Sequence, residues 1–333
     1  MEDNVVDQER TRRVTASDIA RSLGISRATV GFVLNDTPGQ TISLVTREKV
    51  LAEATRLGYR PHLAARALAS GQSKIILLVL PDWPIEYTLR IHLEEASHAL
   101  DEADYSLVTT TPHAGGRARP LWETLQPDLV MGLVPFSSEQ AAIIRRSGAR
   151  VLETAPPTRL SSTSELEIRH GSALQIQHLA ERGHRRVCFA STTDTRLSEL
   201  AHERENLARE AAAVLGLQFD VARIDEHDAG VAVASWTAGG VTAVAAYNDD
   251  LAAIVTGAAL RQGLRVPEQL AVIGHDDAPI ARLMVPSLST VYLDTAGLGR
   301  YLAALALDAI DGVVRAAAPS PTTRAVVVVR EST

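Results

Sequence analysis

The sequence predicts two folds in one chain: a small all-α helix-turn-helix unit near the N-terminus, then an α/β body of two lobes with doubly wound parallel sheets. Three observations predict this. Residues 14–73 place capped helices on either side of a glycine turn, and from Ile75 onward apolar runs of strand length alternate with amphipathic helical stretches. The 333 residues are also long for a single core. Charge divides along the same line. Residues 12–74 hold ten Arg and Lys against four Asp and Glu, a balance of +6, whereas residues 75–333 hold 22 against 32, a balance of −10. A basic head on an acidic body suits a surface that lies on phosphates and predicts salt-sensitive binding. The overall charge of −7 conceals this asymmetry.

In the head, Thr15 caps a helix over residues 16–23, Asp18 closes the capping box, and Ile19, Ala20 and Leu23 form the apolar face. Gly24-Ile25-Ser26 is a tight turn in which Ser26 caps a second helix from Arg27 to about Asn35. Val30, Val33 and Leu34 turn inward. Arg27, Ala28, Gly31 and Phe32 turn outward, where a recognition helix offers its N-terminal side chains to base edges. The candidate DNA contacts here are Thr15, Ser26, Arg27, Ala28, Thr29 and Asn35. A third helix over residues 46–57 is expected to bury Val50, Leu51, Ala54 and Leu57 and to stop at Gly58. The same pattern also fits a plain helical bundle with a solvated basic face, against which the charge balance speaks.

The body opens with a strand at 75–80 and a helix at 86–103, then a strand at 105–109, a helix at 117–125 and a strand at 128–134. A helix at 137–147 and a strand at 150–154 complete the first set. The second set runs helix 171–181, strand 186–190, helix 197–215, strand 241–247, helix 249–262 and strand 270–274. A helix at 295–314 returns to the first lobe before a last strand at 324–329, so more than one crossover links the lobes. This is the rhythm of βαβ units. Ligands of such sheets sit outside the carboxyl ends of the strands, here in the cleft between lobes.

Several motifs now combine. The third helix ends in LGYRP, followed by AARALASGQS, and the body carries ERGHRRVCFAS, AAYNDDLAA, GLRVPEQLAVIGHDD and PSLSTV. In this order they resemble the LacI/GalR, or lac repressor-type, family of bacterial transcriptional regulators. The resemblance implies a helix-turn-helix headpiece joined to a periplasmic-binding-protein-like effector domain. It assigns a flexible tail to 1–12, the headpiece to 13–60, a hinge helix to 61–73 and the effector-binding and dimerisation domain to 74–333. Within the last, the first lobe takes about 74–170 plus 295–320 and the second about 171–294 plus 321–333. It implies a homodimer, most simply a repressor, on a palindromic operator in double-stranded DNA. Leu68 matches the hinge leucine that relatives insert at the central minor-groove step, and Ala64, Ala65, Ala67 and Ala69 permit close backbone approach. A plain interdomain helix is the alternative there. The effector contacts carried over are Arg204, Asn248 and Asp276, whose charged fork, amide and carboxylate suit a small polar effector such as a sugar or nucleobase. Each has a structural hydrogen bond as its alternative role.

The chain departs from the family pattern in places. ATVGFVLN replaces the usual ATVSRVLN, putting Gly31 and Phe32 where a serine and an arginine are common, and His62 stands where an asparagine usually starts the hinge helix. The operator therefore cannot be transferred from relatives. In the first lobe, Pro81 to Tyr87 reads PDWPIEY, with Trp83 and Tyr87 able to stack on a ring or to pack in the lobe, and Glu167 near a position where relatives carry an aspartate.

Other function classes fare poorly. GLGRYL at 297–302 lacks the third glycine of a dinucleotide fingerprint, and neither a Gly-x-Ser-x-Gly elbow nor a phosphate-binding GK[ST] loop is present. No catalytic residue, cofactor or metal is expected, since adjacent residues of His275-Asp276-Asp277 point to opposite faces of a strand. Cys188 has no partner for an internal disulfide. The polar N-terminus is unlike a signal peptide and no apolar run is long enough to cross a membrane, so a cytoplasmic location is expected. No leucine heptad follows the last strand to build a tetramer. The runner-up reading is a small-molecule binding protein of periplasmic type without regulated DNA binding.

Overall fold

The computed structural model describes residues 14–35, 37, 39–59, 71–112, 117–133, 136–153, 171–312 and 325–333. The chain forms two compact units, Met1–Ser73 and Lys74–Thr333. The tail at 1–12, His62, Leu68 and Glu167 lie outside the described residues.

The described residues of the first unit form three helices, α1 (Ala16–Leu23), α2 (Arg27–Leu34) and α3 (Leu44–Arg56). The Thr15 amide donates to Asp18 Oδ2 at 2.9 Å while the Asp18 amide returns to Thr15 Oγ1 at 3.4 Å, closing the capping box. Gly24, at φ +66°, turns the chain out of α1 at a conformation other residues adopt only with strain. Ser26 then caps α2 by accepting from the Thr29 amide at 3.0 Å. Ile19, Ala20, Val30, Val33, Val50 and Ala54 form the core. The Ser22 hydroxyl donates to Glu53, tying α1 to α3, and Arg56 donates to the same carboxylate at 2.7 and 2.6 Å. These hydrogen bonds, led by that of Arg56, hold Glu53 at about 2.

Two expectations for this unit need correction. The third helix begins at Leu44 rather than Thr46, because Ser43 provides the cap and takes the Thr46 amide at 3.2 Å. Leu51, expected in the core, is 47% exposed: Val50 and Ala54 share the inward face and Leu51 lies beside it. Gly31 sits inside α2 with space around it, an added Cβ meeting no atom within 4 Å. Gly31→Ala should therefore raise the stability of this unit by about 0.5–1 kcal/mol, seen as a higher melting temperature of its helical signal. A lower one would show that α2 needs the glycine.

In the second unit, β1 (Ile75–Val79), β2 (Ser106–Thr110), β3 (Leu129–Gly132) and β4 (Arg150–Glu153) form a parallel sheet in the order β2-β1-β3-β4. A second parallel sheet repeats the design with β5 (Arg186–Thr192), β6 (Gln218–Ile224), β7 (Ala243–Ala246) and β8 (Ala271–Ile273), ordered β6-β5-β7-β8. The central strands are apolar on both faces because helices cover both, as Ile76, Leu77 and Leu78 show in β1 and Val187, Cys188 and Phe189 in β5. Burial pushes the Cys188 thiol up to about 12, which leaves it unreactive. Each sheet reverses its strand order beside its first strand, so the carboxyl ends of β1 with β3 and of β5 with β7 mark the switch points where crevices open.

Among the described residues of this unit the helices are α4 (Tyr87–Asp101), α5 (Leu121–Leu125), α6 (Ser138–Arg146), α7 (Gly171–Glu181), α8 (Ser198–Val214), α9 (Ala229–Ala238), α10 (Asp249–Arg261), α11 (Pro279–Leu283) and α12 (Thr295–Asp311). After β9 (Thr290–Tyr292) the chain returns along α12 to pack on α4 of the first lobe, and β10 (Val326–Val328) then pairs antiparallel with β9. Gly299 allows the α12–α4 contact: a Cβ there would lie 2.8 Å from Glu95 Cβ and 3.0 Å from the Ala96 amide nitrogen. The expected helix at 117–125 shrinks to Leu121–Leu125, since Pro120 occupies the cap and disfavours helical backbone before it. The strand β6 and the helices α9 and α11 were not anticipated. α9 is apolar nearly all round and so has little helical period to read.

Candidate effector site and DNA-facing surface

Four chain segments meet at the carboxyl ends of the strands. Glu86 lies between β1 and α4, Arg204 lies on α8 after β5, Tyr247 and Asn248 follow β7, and His275 and Asp276 follow β8. The structure brings two of the expected residues together: Arg204 Nη2 donates to Asp276 Oδ1 at 3.1 Å. Arg204 Nη1 also donates to the Tyr247 carbonyl, and the guanidinium lies 4.5 Å from the centre of the Tyr247 ring. His275 Nδ1 donates to Asp276 Oδ1 at 2.7 Å. Burial works to raise the Asp276 pKa, but the charge of Arg204, together with the hydrogen bonds from His275 and Arg204, outweighs it and brings Asp276 to about 2. Burial, and after it Arg204, lowers the His275 pKa, so the neutral ring serves as a donor to the carboxylate. The backbone bends sharply here, with φ of +104° at Asp276 and +48° at Asp277. Aspartate tolerates this conformation better than most residues, and Arg330 anchors the bend by donating to Asp277 Oδ1 at 2.6 Å.

Asn248 is placed differently. Its Oδ1 accepts from the Leu251 amide at 2.9 Å, capping α10, and its Nδ2 donates to Glu86 Oε1 of the first lobe at 3.3 Å. Its amide thus serves a cap and a contact between lobes, the structural alternative for this residue. Arg204 and Asp276 line one cavity between the lobes, with Trp83, Glu86, Tyr247 and His92, whereas Asn248 lines a neighbouring one beside Thr192, Asp194 and Asp250. Glu86 and Tyr247 border both. Burial, and then the charge of Asp276, raises the Glu86 pKa. Trp83 faces the Arg204 cavity, while Tyr87 instead carries the Arg90 guanidinium 5.5 Å from its ring centre.

Sequence reasoning missed Glu86, His92, Ser172, Tyr247 and Asp249. Tyr247 and Asp249 stand within the quoted AAYNDDLAA, so their position was visible though their role was not. Asp249 is buried, accepting from Thr290 Oγ1 at 2.5 Å and from the Ala278 amide at 2.6 Å. Burial lifts it to about 7, those two hydrogen bonds opposing the lift. Among the described residues no cluster of His, Cys, Asp and Glu could hold a metal ion, and no helix is long and apolar enough to cross a membrane.

On the separate helical unit, Ser26, Arg27, Ala28 and Asn35 are exposed and Thr29 is half-buried at one surface of α2. Ser26 Oγ and Thr29 Oγ1 lie 2.9 Å apart, and Thr15 Oγ1 donates to Asp18 at 2.7 Å, so these hydroxyls already serve helix ends. Among the described residues Arg27, at the first turn of α2, has no ion-pair partner, while Arg21 and Arg56 are paired with Asp18 and Glu53.

Comparison with known proteins places both units. Residues 15–62 match the family described as bacterial regulatory proteins, lacI family, and residues 176–333 match the periplasmic binding protein-like domain. The HTH-type transcriptional regulator CelR of Thermobifida fusca is 28% identical over 91% of this chain and 94% of its own length. The regulator GalS of Salmonella typhimurium is 28% identical over 90% of this chain and 91% of its own. The solved lac repressor dimer bound to operator and the anti-inducer ONPF has the same fold, with a TM-score of 0.75 at 20% identity over 96% of this chain and 99% of that one. The CelR–cellobiose complex aligns at a TM-score of 0.59 and 23% identity, over 96% and 100% of the two chains.

Proposed function

We propose that the chain, whose residues 15–62 match the lacI family of bacterial regulatory proteins and which is 28% identical to the regulator CelR, is a dimeric repressor whose hold on a palindromic operator is set by a small polar effector between its lobes. The observation that carries this reading is the basic helix-turn-helix with Arg27 and Ala28 exposed at the start of α2. The effector is of the sugar class: the cavity joins the Arg204–Asp276 pair to apolar walls, and the related CelR is solved as a complex with cellobiose. In this proposal the headpiece covers 13–60, the hinge 61–73 and the effector domain 74–333, the protein works in the cytoplasm, and it does not turn its ligand over.

DNA contacts are assigned to Thr15, Ser26, Arg27, Ala28, Thr29, Asn35 and Leu68, and effector contacts to Arg204 and Asp276, with Asn248 holding the lobes together through Glu86. Sequencing of genomic fragments captured by the purified protein, at low and raised salt, tests the reading. A recurrent palindrome near promoters is expected; binding that is blind to sequence and lost with salt would overturn it. Replacing Leu68 by alanine should weaken binding to that palindrome while sparing salt-sensitive binding to random DNA. An equal loss of both would remove its role as a wedge.

A further inference from the structure

We propose that His92 and Ser172 are ligand-binding residues that receive hydroxyl groups of an uncharged ligand in the cavity beside Arg204 and Asp276. The proposal rests on the effector reading above and adds two contacts that none of the family motifs carries. His92 comes from α4 of the first lobe and Ser172 from the first turn of α7 of the second, and both line the same cavity. Among the described residues, His92 Nε2 and Ser172 Oγ are both buried without a hydrogen-bond partner. A folded chain rarely leaves such atoms unpaired, since each gives up its hydrogen bonds to water for nothing in return. Two of them on opposite lobes of one cavity are matched by a single molecule bound between the lobes.

The chemistry of the surroundings narrows the ligand. Burial holds His92 at about 4, so its ring is neutral near pH 7 and offers either a donor or an acceptor at Nε2. A serine hydroxyl has the same versatility, and a ligand hydroxyl can answer both. Arg204 is already engaged by Asp276 and the Tyr247 carbonyl, and Glu86 adds an acid to the same wall, so an anion is poorly served. Trp83, Leu197, Leu200 and Leu298 supply the apolar surface that the C–H face of a sugar ring packs on. The pair also bridges the lobes. A ligand held by both residues would favour one lobe arrangement over others, which is what an effector must do.

The test uses the full chain and titrates D-glucose, D-galactose and cellobiose by calorimetry into the wild type and the variants Ser172→Ala, His92→Phe and His92→Gln. For a sugar that the wild type binds, Ser172→Ala and His92→Phe should each lower affinity about tenfold or more, and His92→Gln should restore part of it. Unchanged affinity in both Ser172→Ala and His92→Phe would overturn the proposal. Melting of the same proteins without sugar provides a second, independent readout. Removing an unpaired polar atom should leave the melting temperature equal or raise it, whereas a fall in both variants would show that these atoms serve the fold and would also overturn the proposal. Failure of all three sugars to bind the wild type would count against the sugar effector instead, and the melting comparison would then decide the role of the pair.

Discussion

Asp276→Ala should cost the two-lobed unit about 3 kcal/mol at neutral pH. The carboxylate is 7% exposed and faces an Arg204 side chain that is 21% exposed, so its removal leaves a partly buried guanidinium with one partner fewer and the His275 Nδ1 without its acceptor. Alanine also tolerates φ of +104° less well than aspartate does. The pH dependence provides a check on the cause. Asp276 is held at about 2 in the fold against its ordinary value of 3.8, so its contribution is complete above about pH 4 and fades as pH falls toward 2. Urea unfolding of wild type and variant should therefore differ most at pH 7 and converge in acid. A difference below about 1 kcal/mol at pH 7 would mean that solvent screens the pair as it does a surface ion pair. Because the same residue faces the cavity, the variant should also lose its response to effector.

Asp249→Asn is expected to act in the opposite direction. The folded protein raises this carboxyl from 3.8 to about 7, chiefly through burial, so the native state holds its proton more tightly than the unfolded chain. A raised acid contributes stability that is full below about pH 4 and is lost as pH climbs to about 7. Above that, the wild type carries a buried negative charge close to Asp276 and Asp277. Asparagine keeps the shape: its carbonyl can accept from the Ala278 amide while its amide donates to Thr290 Oγ1, replacing the bonds seen at 2.6 and 2.5 Å. A shift of about three units corresponds to roughly 4 kcal/mol, so a gain of a few kcal/mol over wild type is expected at pH 8, shrinking toward pH 4. Chemical denaturation across that range would show it. A gain that did not vary with pH would place its origin in packing rather than in the charge.

Much of the architecture was legible before any coordinates. Thr15, Asp18, Gly24 and Ser26 determine the ends of α1 and the start of α2 through contacts no more than four residues apart, and such local chemistry survives in any fold that keeps the helices. The alternation of apolar strands with amphipathic helices likewise yielded two parallel lobes, because strands buried on both faces must be apolar throughout. The start of α3 was misplaced because Ser43 and Thr46 are both good caps, and only the structure shows Ser43 in that role.

The site was legible in part. Arg204 and Asp276 were named from motifs, and their meeting at 3.1 Å follows from the placement of α8 and the segment after β8 at one end of the second sheet. Asn248 was named for the same reason, yet its amide is taken up by α10 and Glu86, a partner 162 residues away. His92 and Ser172 carried no motif at all. By itself the sequence determined the capped helix-turn-helix, the parallel sheets and the charge division, since each depends on residue type at short spacing. The tertiary structure alone decided which polar groups are buried, which are paired and which face a cavity, because those properties depend on the packing of segments far apart in the chain.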